Sequence, residues 1–384
     1  MHYDVQANTR SLYIHWPFCP YKCHYCPFVA IAGHDQFMHD YHKSLMAEIE
    51  TFAHQVPQKL SLDTIYLGGG TPSTWPNELL LDMSGRLRSM FCMDSISEIT
   101  IEANPGTVEP GKLEVWKEAG ITRISIGVQS LDDAVLANLN RHQKASDVYK
   151  LIHTAAPLFN NLSIDLIIGL PGVSQEAWKK MVIEICQWPI THVSLYFLSI
   201  HEETPLYFRI KKKEITIIPD DEMVDLYYWS VETLQKYGLM QYEISSFARA
   251  GFESKHNQVY WDRKPYKGFG MGACSFDGKA RFQNEKNLSK YLINALKGQD
   301  LTIAGDQLTQ EEVRLEKLML GLRRKNGVVM SEIINELSEE KQAIFKERVS
   351  DLEKGSLVRC DGDTLYLMPH ALAVENEIAV TLSV

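Results

Sequence analysis

The sequence predicts an α/β protein, a partial (β/α)6 barrel joined to a C-terminal α+β, winged-helix-like domain. Three observations lead there. The chain has 384 residues, too many for one small domain and enough for a barrel with an appendage. Strand-like apolar runs alternate with amphipathic helical stretches through roughly the first half. Beyond them the pattern changes to helices, a glycine-rich stretch and a short closing pair of strands.

The first run, S-L-Y-I-H-W at 11–16, leads directly into a cysteine-rich loop. Five more follow: D-T-I-Y-L at 63–67, E-I-T-I-E at 98–102, R-I-S-I-G-V at 123–128, L-S-I-D-L-I-I at 162–168 and H-V-S-L-Y-F-L at 192–198. Between them lie the helical segments Asp40–Phe52, Glu109–Ala119, Asp132–Leu139 and Gln175–Cys186. Read as near-continuous apolar strands, the runs imply βαβ units and a parallel sheet covered on both faces. A long helix at 220–238 stops at Gly238, and the H-N-Q-V-Y-W and K-G-F-G-M-G-A segments come next. Helical stretches Glu311–Lys325, Ser331–Leu337 and Glu340–Lys354 then lead into the short strands L-V-R-C and T-L-Y-L-M. The expected division is a barrel at 1–210, a barrel extension at 211–305 and a small helical domain at 306–384.

Composition narrows the function classes. With 45% apolar and 23% charged residues the chain reads as globular. Lys and Arg number 39 against 49 Asp and Glu, a net charge of −10, which argues against a nucleic-acid footprint. Arg323, Arg324 and Lys325 form one small basic run, read as a solvated helix end. No window approaches a membrane span, and the N-terminus lacks a charged region followed by an apolar core, so the expected compartment is the cytosol.

The seven cysteines divide in two. Cys92, Cys186, Cys274 and Cys360 are scattered and read as single thiols in a reducing compartment. Cys19, Cys23 and Cys26 stand together in C-P-Y-K-C-H-Y-C. Structural zinc needs four closed ligands, and only His24 offers a fourth, from between two of the others. An iron–sulfur cluster fits better, because three thiolates on a cubane leave one iron open to a small molecule.

In sheets of this kind the chemistry sits at the carboxyl ends of the strands. There the sequence places the cysteine loop, G-G-G-T-P-S, E-A-N-P-G-T, Q-S, and Asp165 followed by G-L-P-G. Glycine lets backbone approach a ligand, since it has no Cβ. Glu102, Gln129, Arg141 and Asp165, gathered at one mouth, supply acceptors for an ammonium and for ribose hydroxyls and a cation for a carboxylate. A ligand with an amino-acid head and a ribose is implied, and S-adenosylmethionine has both.

C-P-Y-K-C-H-Y-C resembles the radical S-adenosylmethionine motif C-x-x-x-C-x-φ-C, with Tyr25 as the aromatic φ. L-Y-I-H-W-P-F-C, G-G-G-T-P-S, E-A-N-P, I-S-I-G-V-Q-S and L-I-I-G-L-P-G are similar to the subgroup holding oxygen-independent coproporphyrinogen III oxidase and the heme chaperone HemW. The resemblance runs from about Leu12 to Phe276 and more loosely to the end. It implies that Cys19, Cys23 and Cys26 hold a [4Fe-4S] cluster, and that Tyr13, Tyr25, Gly69, Gly70, Thr71, Glu102, Gln129, Arg141 and Asp165 form the S-adenosylmethionine site. It also implies one-electron cleavage of that cofactor's C–S bond, fed by an electron donor.

Within the subgroup, the oxidase has a longer N-terminus and a further cysteine where this chain has Phe28. His256-Asn257-Gln258-Val259-Tyr260-Trp261 matches the H-N-x-x-Y-W motif associated with heme binding in the chaperones. The resemblance therefore implies heme or a porphyrin as ligand, His256 as its axial candidate, and a membrane or respiratory acceptor protein for the heme. Oxidative decarboxylation of coproporphyrinogen III is the alternative, and a zinc-stabilised binding module a third.

Overall fold

The computed structural model describes residues 3–4, 8–56 and 58–384. Six parallel strands carry the architecture: β1 (Ser11–Trp16), β2 (Thr64–Gly69), β3 (Glu98–Ala103), β4 (Arg123–Gln129), β5 (Leu162–Ile168) and β6 (His192–Phe197). They pair in sequence order, with Leu12 opposite Ile65, Ile65 opposite Ile99 and Ile101 opposite Ile124. Beyond β6 the sheet continues through an antiparallel hairpin, β7 (Met240–Glu243) and β8 (Ser246–Ala248). Beyond β1 it gains the parallel strand β9 (Lys267–Phe269). The result is an open nine-stranded sheet, a partial barrel of the predicted α/β class.

The strands are not apolar on both faces. Leu12, Ile14, Ile65, Leu67, Ile124, Ile126, Ile164, Leu166, Val193 and Leu195 lie in one buried core with the surrounding helices. Their neighbours in sequence point the other way: Tyr13 and His15, Tyr66, Thr100 and Glu102, Arg123 and Ser125, Ser163 and Asp165, His192 and Ser194. This corrects the expectation of near-continuous apolar strands. Helices cover the outer face, and each aliphatic side chain there contributes about 1.5–3 kcal/mol of burial. The inner face lines a polar lumen, which the period-2 alternation demands.

The helices start where the sequence supplies acceptors. Asp132 takes the amides of Ala134 and Val135, both at 3.0 Å, and opens the helix Asp133–Asn138. Ser174 caps Gln175–Ile185 through the Ala177 amide at 3.1 Å. Among the described residues no helix is long and apolar enough to cross a membrane.

The C-terminal region has its own core, built on Leu318, Leu322, Phe345, Val349, Leu365 and Ile378. A three-stranded sheet (Val328–Val329, Thr364–Leu367, Val358–Asp361) packs on the helices Gln310–Leu322, Glu339–Lys354 and Glu375–Leu382. Among the described residues four ion pairs fasten it to the barrel side, one of them Arg281 with Glu316. Arg323 meets Glu243 at 2.8 Å, Arg263 meets Glu316 at 3.0 Å, and Arg324 meets Asp262. The Arg323 guanidinium also lies 4.2 Å from the Trp261 ring centre.

Candidate functional site

The strand ends open into a cavity of about 490 Å3, large enough for a cofactor-sized molecule. Cys19, Cys23 and Cys26 line one side of it. The loop that carries them is pinned at both flanks. The His24 amide donates to the Leu139 carbonyl at 2.9 Å, the Asn140 side chain to the Lys22 carbonyl at 2.9 Å, and the Ile31 amide to the Pro17 carbonyl at 2.8 Å. Two donors reach the sulfurs. The Thr71 hydroxyl lies 3.2 Å from the Cys19 sulfur and Arg141 Nη1 lies 3.6 Å from that of Cys23. Burial pushes the Cys19 thiol up to about 11 and raises Cys26 as well. Such thiols keep their protons until a metal cation displaces them.

The donor set fits a cluster better than a single ion. His24 hydrogen-bonds Arg209 at 3.3 Å and lies outside the cavity lining, so it does not complete a zinc tetrahedron. Among the described residues, no three such side chains converge on one ion. Thiolates of a cluster bind separate irons and need not converge.

The glycine loop brings backbone to this wall. A Cβ on Gly70 would stand 2.5 Å from the Pro17 carbonyl oxygen, and Gly69 adopts a φ of +120° that favours glycine. The Gly69 amide donates to Glu102 at 3.1 Å, and the Tyr66 hydroxyl donates to the other carboxylate oxygen at 2.8 Å. Burial, with a further push from Asp165, moves the Glu102 carboxyl up to about 7. Burial also raises Asp165, whose Oδ2 accepts from Ser125 at 3.1 Å.

Gln129 closes β4 at a bulge with φ +63°, unusual for a residue with a side chain. The turn directs its amide to the cavity, where Oε1 is buried without a partner. Arg141 is held by Gln143 at 2.9 Å and by the Gly127 carbonyl at 2.5 Å. Tyr25, Gly69, Gly70, Thr71, Glu102, Gln129, Arg141 and Asp165 thus all line one cavity with the three cysteines. The orphaned amide, the close backbone and the buried acids suit a polar ligand beside the sulfurs.

Two expected residues stand elsewhere. Tyr13 stacks on Tyr66 and lines a neighbouring cavity of about 440 Å3, which shares Pro27, Phe28, Gly69 and Glu102 with the first. His256 lines neither cavity. It is fully buried, with Nδ1 2.8 Å from the Thr64 hydroxyl and Nε2 2.8 Å from the Tyr260 hydroxyl. Its amide donates to Glu98 at 3.0 Å. With both ring nitrogens engaged, His256 has none free for heme iron, so the geometry is that of a structural histidine; of its motif only Asn257 reaches the larger cavity.

Tyr66, Arg123, Ser125, Ser194 and Tyr196 line the cavity and were missed in the sequence. Their signal was available. Each occupies the inward parity of a strand already recognised, set by Glu102 on β3 and Asp165 on β5.

The Radical SAM superfamily pattern matches residues 13–185. The heme chaperone HemW of Bacillus subtilis (strain 168) is 32% identical over 372 residues, covering 96% of this chain and 98% of that one. HemW of a Synechocystis strain is 33% identical over 393 residues, covering 98% and 93%. Among solved structures, coproporphyrinogen III oxidase (HemN) from Escherichia coli superposes with a TM-score of 0.84 over 99% of this chain and 92% of that one, at 22% identity, which shows a shared fold. By these likenesses along nearly its whole length, the chain belongs to the HemW family of the radical SAM superfamily, and that membership brings a [4Fe-4S] cluster and S-adenosylmethionine as cofactors.

Proposed function

We propose that this protein binds heme, or a closely related tetrapyrrole, and passes it to an acceptor protein. The observation that carries the reading is the full-length likeness to proteins named heme chaperone HemW. The mixed lining of the 490 Å3 cavity agrees with it: sulfur and buried acids are interspersed with Phe28, Ile167, Phe197 and Leu198. A lining that mixes apolar and polar groups suits a flat macrocycle with acidic side chains.

In this reading Cys19, Cys23 and Cys26 hold the cluster, which supplies one-electron chemistry when bound. Thr71 and Arg141 donate toward two of the sulfurs and stabilise them as thiolates. Glu102 and Asp165 accept from the ammonium and the ribose hydroxyls of S-adenosylmethionine, and the Gln129 carbonyl oxygen takes a donor of the same ligand.

The oxidase fold of the Escherichia coli structure makes decarboxylation of coproporphyrinogen III the competing outcome. One experiment separates them. Protein reconstituted anaerobically is titrated with hemin, then incubated with coproporphyrinogen III, reductant and S-adenosylmethionine. Saturable hemin binding without protoporphyrinogen supports the chaperone reading; protoporphyrinogen formation overturns it.

A further inference from the structure

Arg123 opens β4 opposite Thr100 and reaches into the floor of the large cavity. The residue is 2% exposed, and its Nε is buried with no hydrogen-bond partner. Among the described residues no carboxylate stands within ion-pair distance of it. Other guanidiniums at the heart of this fold are answered: Arg141 by Gln143 and Gly127, Arg323 by Glu243, Arg263 by Glu316. A buried charge without a partner is costly enough to call for an explanation.

The two acids of the cavity supply only a through-space attraction, not a contact. Glu102 is taken by the Tyr66 hydroxyl and the Gly69 amide, and Asp165 by Ser125. Neutral donors hydrogen-bond both; Arg123 attracts the two carboxyls through space, makes no direct contact with either, and lines the open cavity. A planar guanidinium that lines a cavity and has no ion-pair partner suits a carboxylate.

We infer that Arg123 recognises a carboxylate of the molecule that fills the lumen, on the favoured assignment a propionate of the tetrapyrrole. That assignment rests on the function proposed above. S-adenosylmethionine also carries a carboxylate, but Arg141, beside the cysteines, already offers it a cation. Arg123 lies deeper, below the layer of Glu102 and Asp165. Burial raises both of these carboxyls, which lessens their repulsion of an incoming anion.

The test uses cluster-loaded protein and absorbance titrations with hemin and with hemin dimethyl ester. Wild type is expected to bind the free acid about tenfold or more tighter than the ester, the worth of one charge-assisted pair. Arg123→Met abolishes that preference and leaves ester binding unchanged, while Arg123→Lys keeps part of it. Circular dichroism and iron content confirm that each variant is folded and loaded. Equal binding of acid and ester by wild type, or a preference that survives in Arg123→Met, overturns the propionate assignment and leaves the chaperone reading standing. Binding of neither compound sinks the chaperone reading itself. A second arm titrates S-adenosylmethionine and its decarboxylated analogue. A loss in Arg123→Met confined to the intact cofactor assigns the recognised carboxylate to S-adenosylmethionine. No loss in either arm overturns the inference altogether.

Discussion

The cysteine loop and the helix Lys255–Trp261 are both announced by short motifs, and the fold treats them in opposite ways. In the loop, three sulfurs open onto the large cavity with donors from Thr71 and Arg141 beside them. In the helix, His256 spends both ring nitrogens on Thr64 and Tyr260 and lies outside both cavities. A motif fixes a residue type; the packing around it decides whether the reacting atom is free.

The sharpest test of that contrast is Cys23→Ser. It removes a thiolate that nothing nearby replaces, so iron content and visible absorbance after anaerobic reconstitution should fall to background. Full iron retention would erase the distinction between the two regions. His256→Ala should act on stability instead. It takes the partner from the Tyr260 hydroxyl, leaves Thr64 with only Ser11, and opens a void, at a cost of about 2–4 kcal/mol in urea unfolding. Iron loading and hemin affinity should hold. An unchanged unfolding midpoint with an altered hemin spectrum would make His256 a ligand after all.

Gly70→Ala probes the close backbone at the loop's edge. Its Cβ would meet the Pro17 carbonyl oxygen at 2.5 Å, so the chain must shift, at about 1–3 kcal/mol by thermal or urea unfolding. Wild-type stability would show that the loop gives way freely.

The smallest expected effect is at Glu102. Its carboxyl, raised from 4.5 to about 7 by burial, keeps its proton in the folded protein where the unfolded chain has released it. Its contribution to stability is therefore full below the ordinary carboxylate value and is lost as pH rises to about 7. Affinity for the ammonium of S-adenosylmethionine runs the other way, rising through the same interval as the acid ionises. Glu102→Gln should flatten that rise and weaken binding about tenfold at pH 8, read by calorimetry. A variant that keeps the wild-type pH profile would place the titrating group elsewhere.

Much of this was legible beforehand. The six strands fall where their apolar runs stand, β1 and β5 with the same bounds, and eight of the expected S-adenosylmethionine contacts meet the cysteines in one cavity. What the sequence concealed was the inner face. R-I-S-I-G-V-Q reads as an apolar strand until Arg123 and Ser125 are seen to share the inward parity, and the bulge that turns Gln129 into the cavity leaves no mark in the pattern. His256 was obscured for a different reason. Its partners Thr64 and Glu98 lie well over a hundred residues away in sequence, and only the sheet brings them to it.

Glu102 also stands in a party wall. The two chambers at the barrel mouth share it, together with Gly69, Pro27 and Phe28. A guest in one chamber that draws the carboxylate toward itself changes the charge its neighbour meets next door. Thermodynamics makes such a debt mutual: whatever factor the first occupant imposes on the second is returned in full.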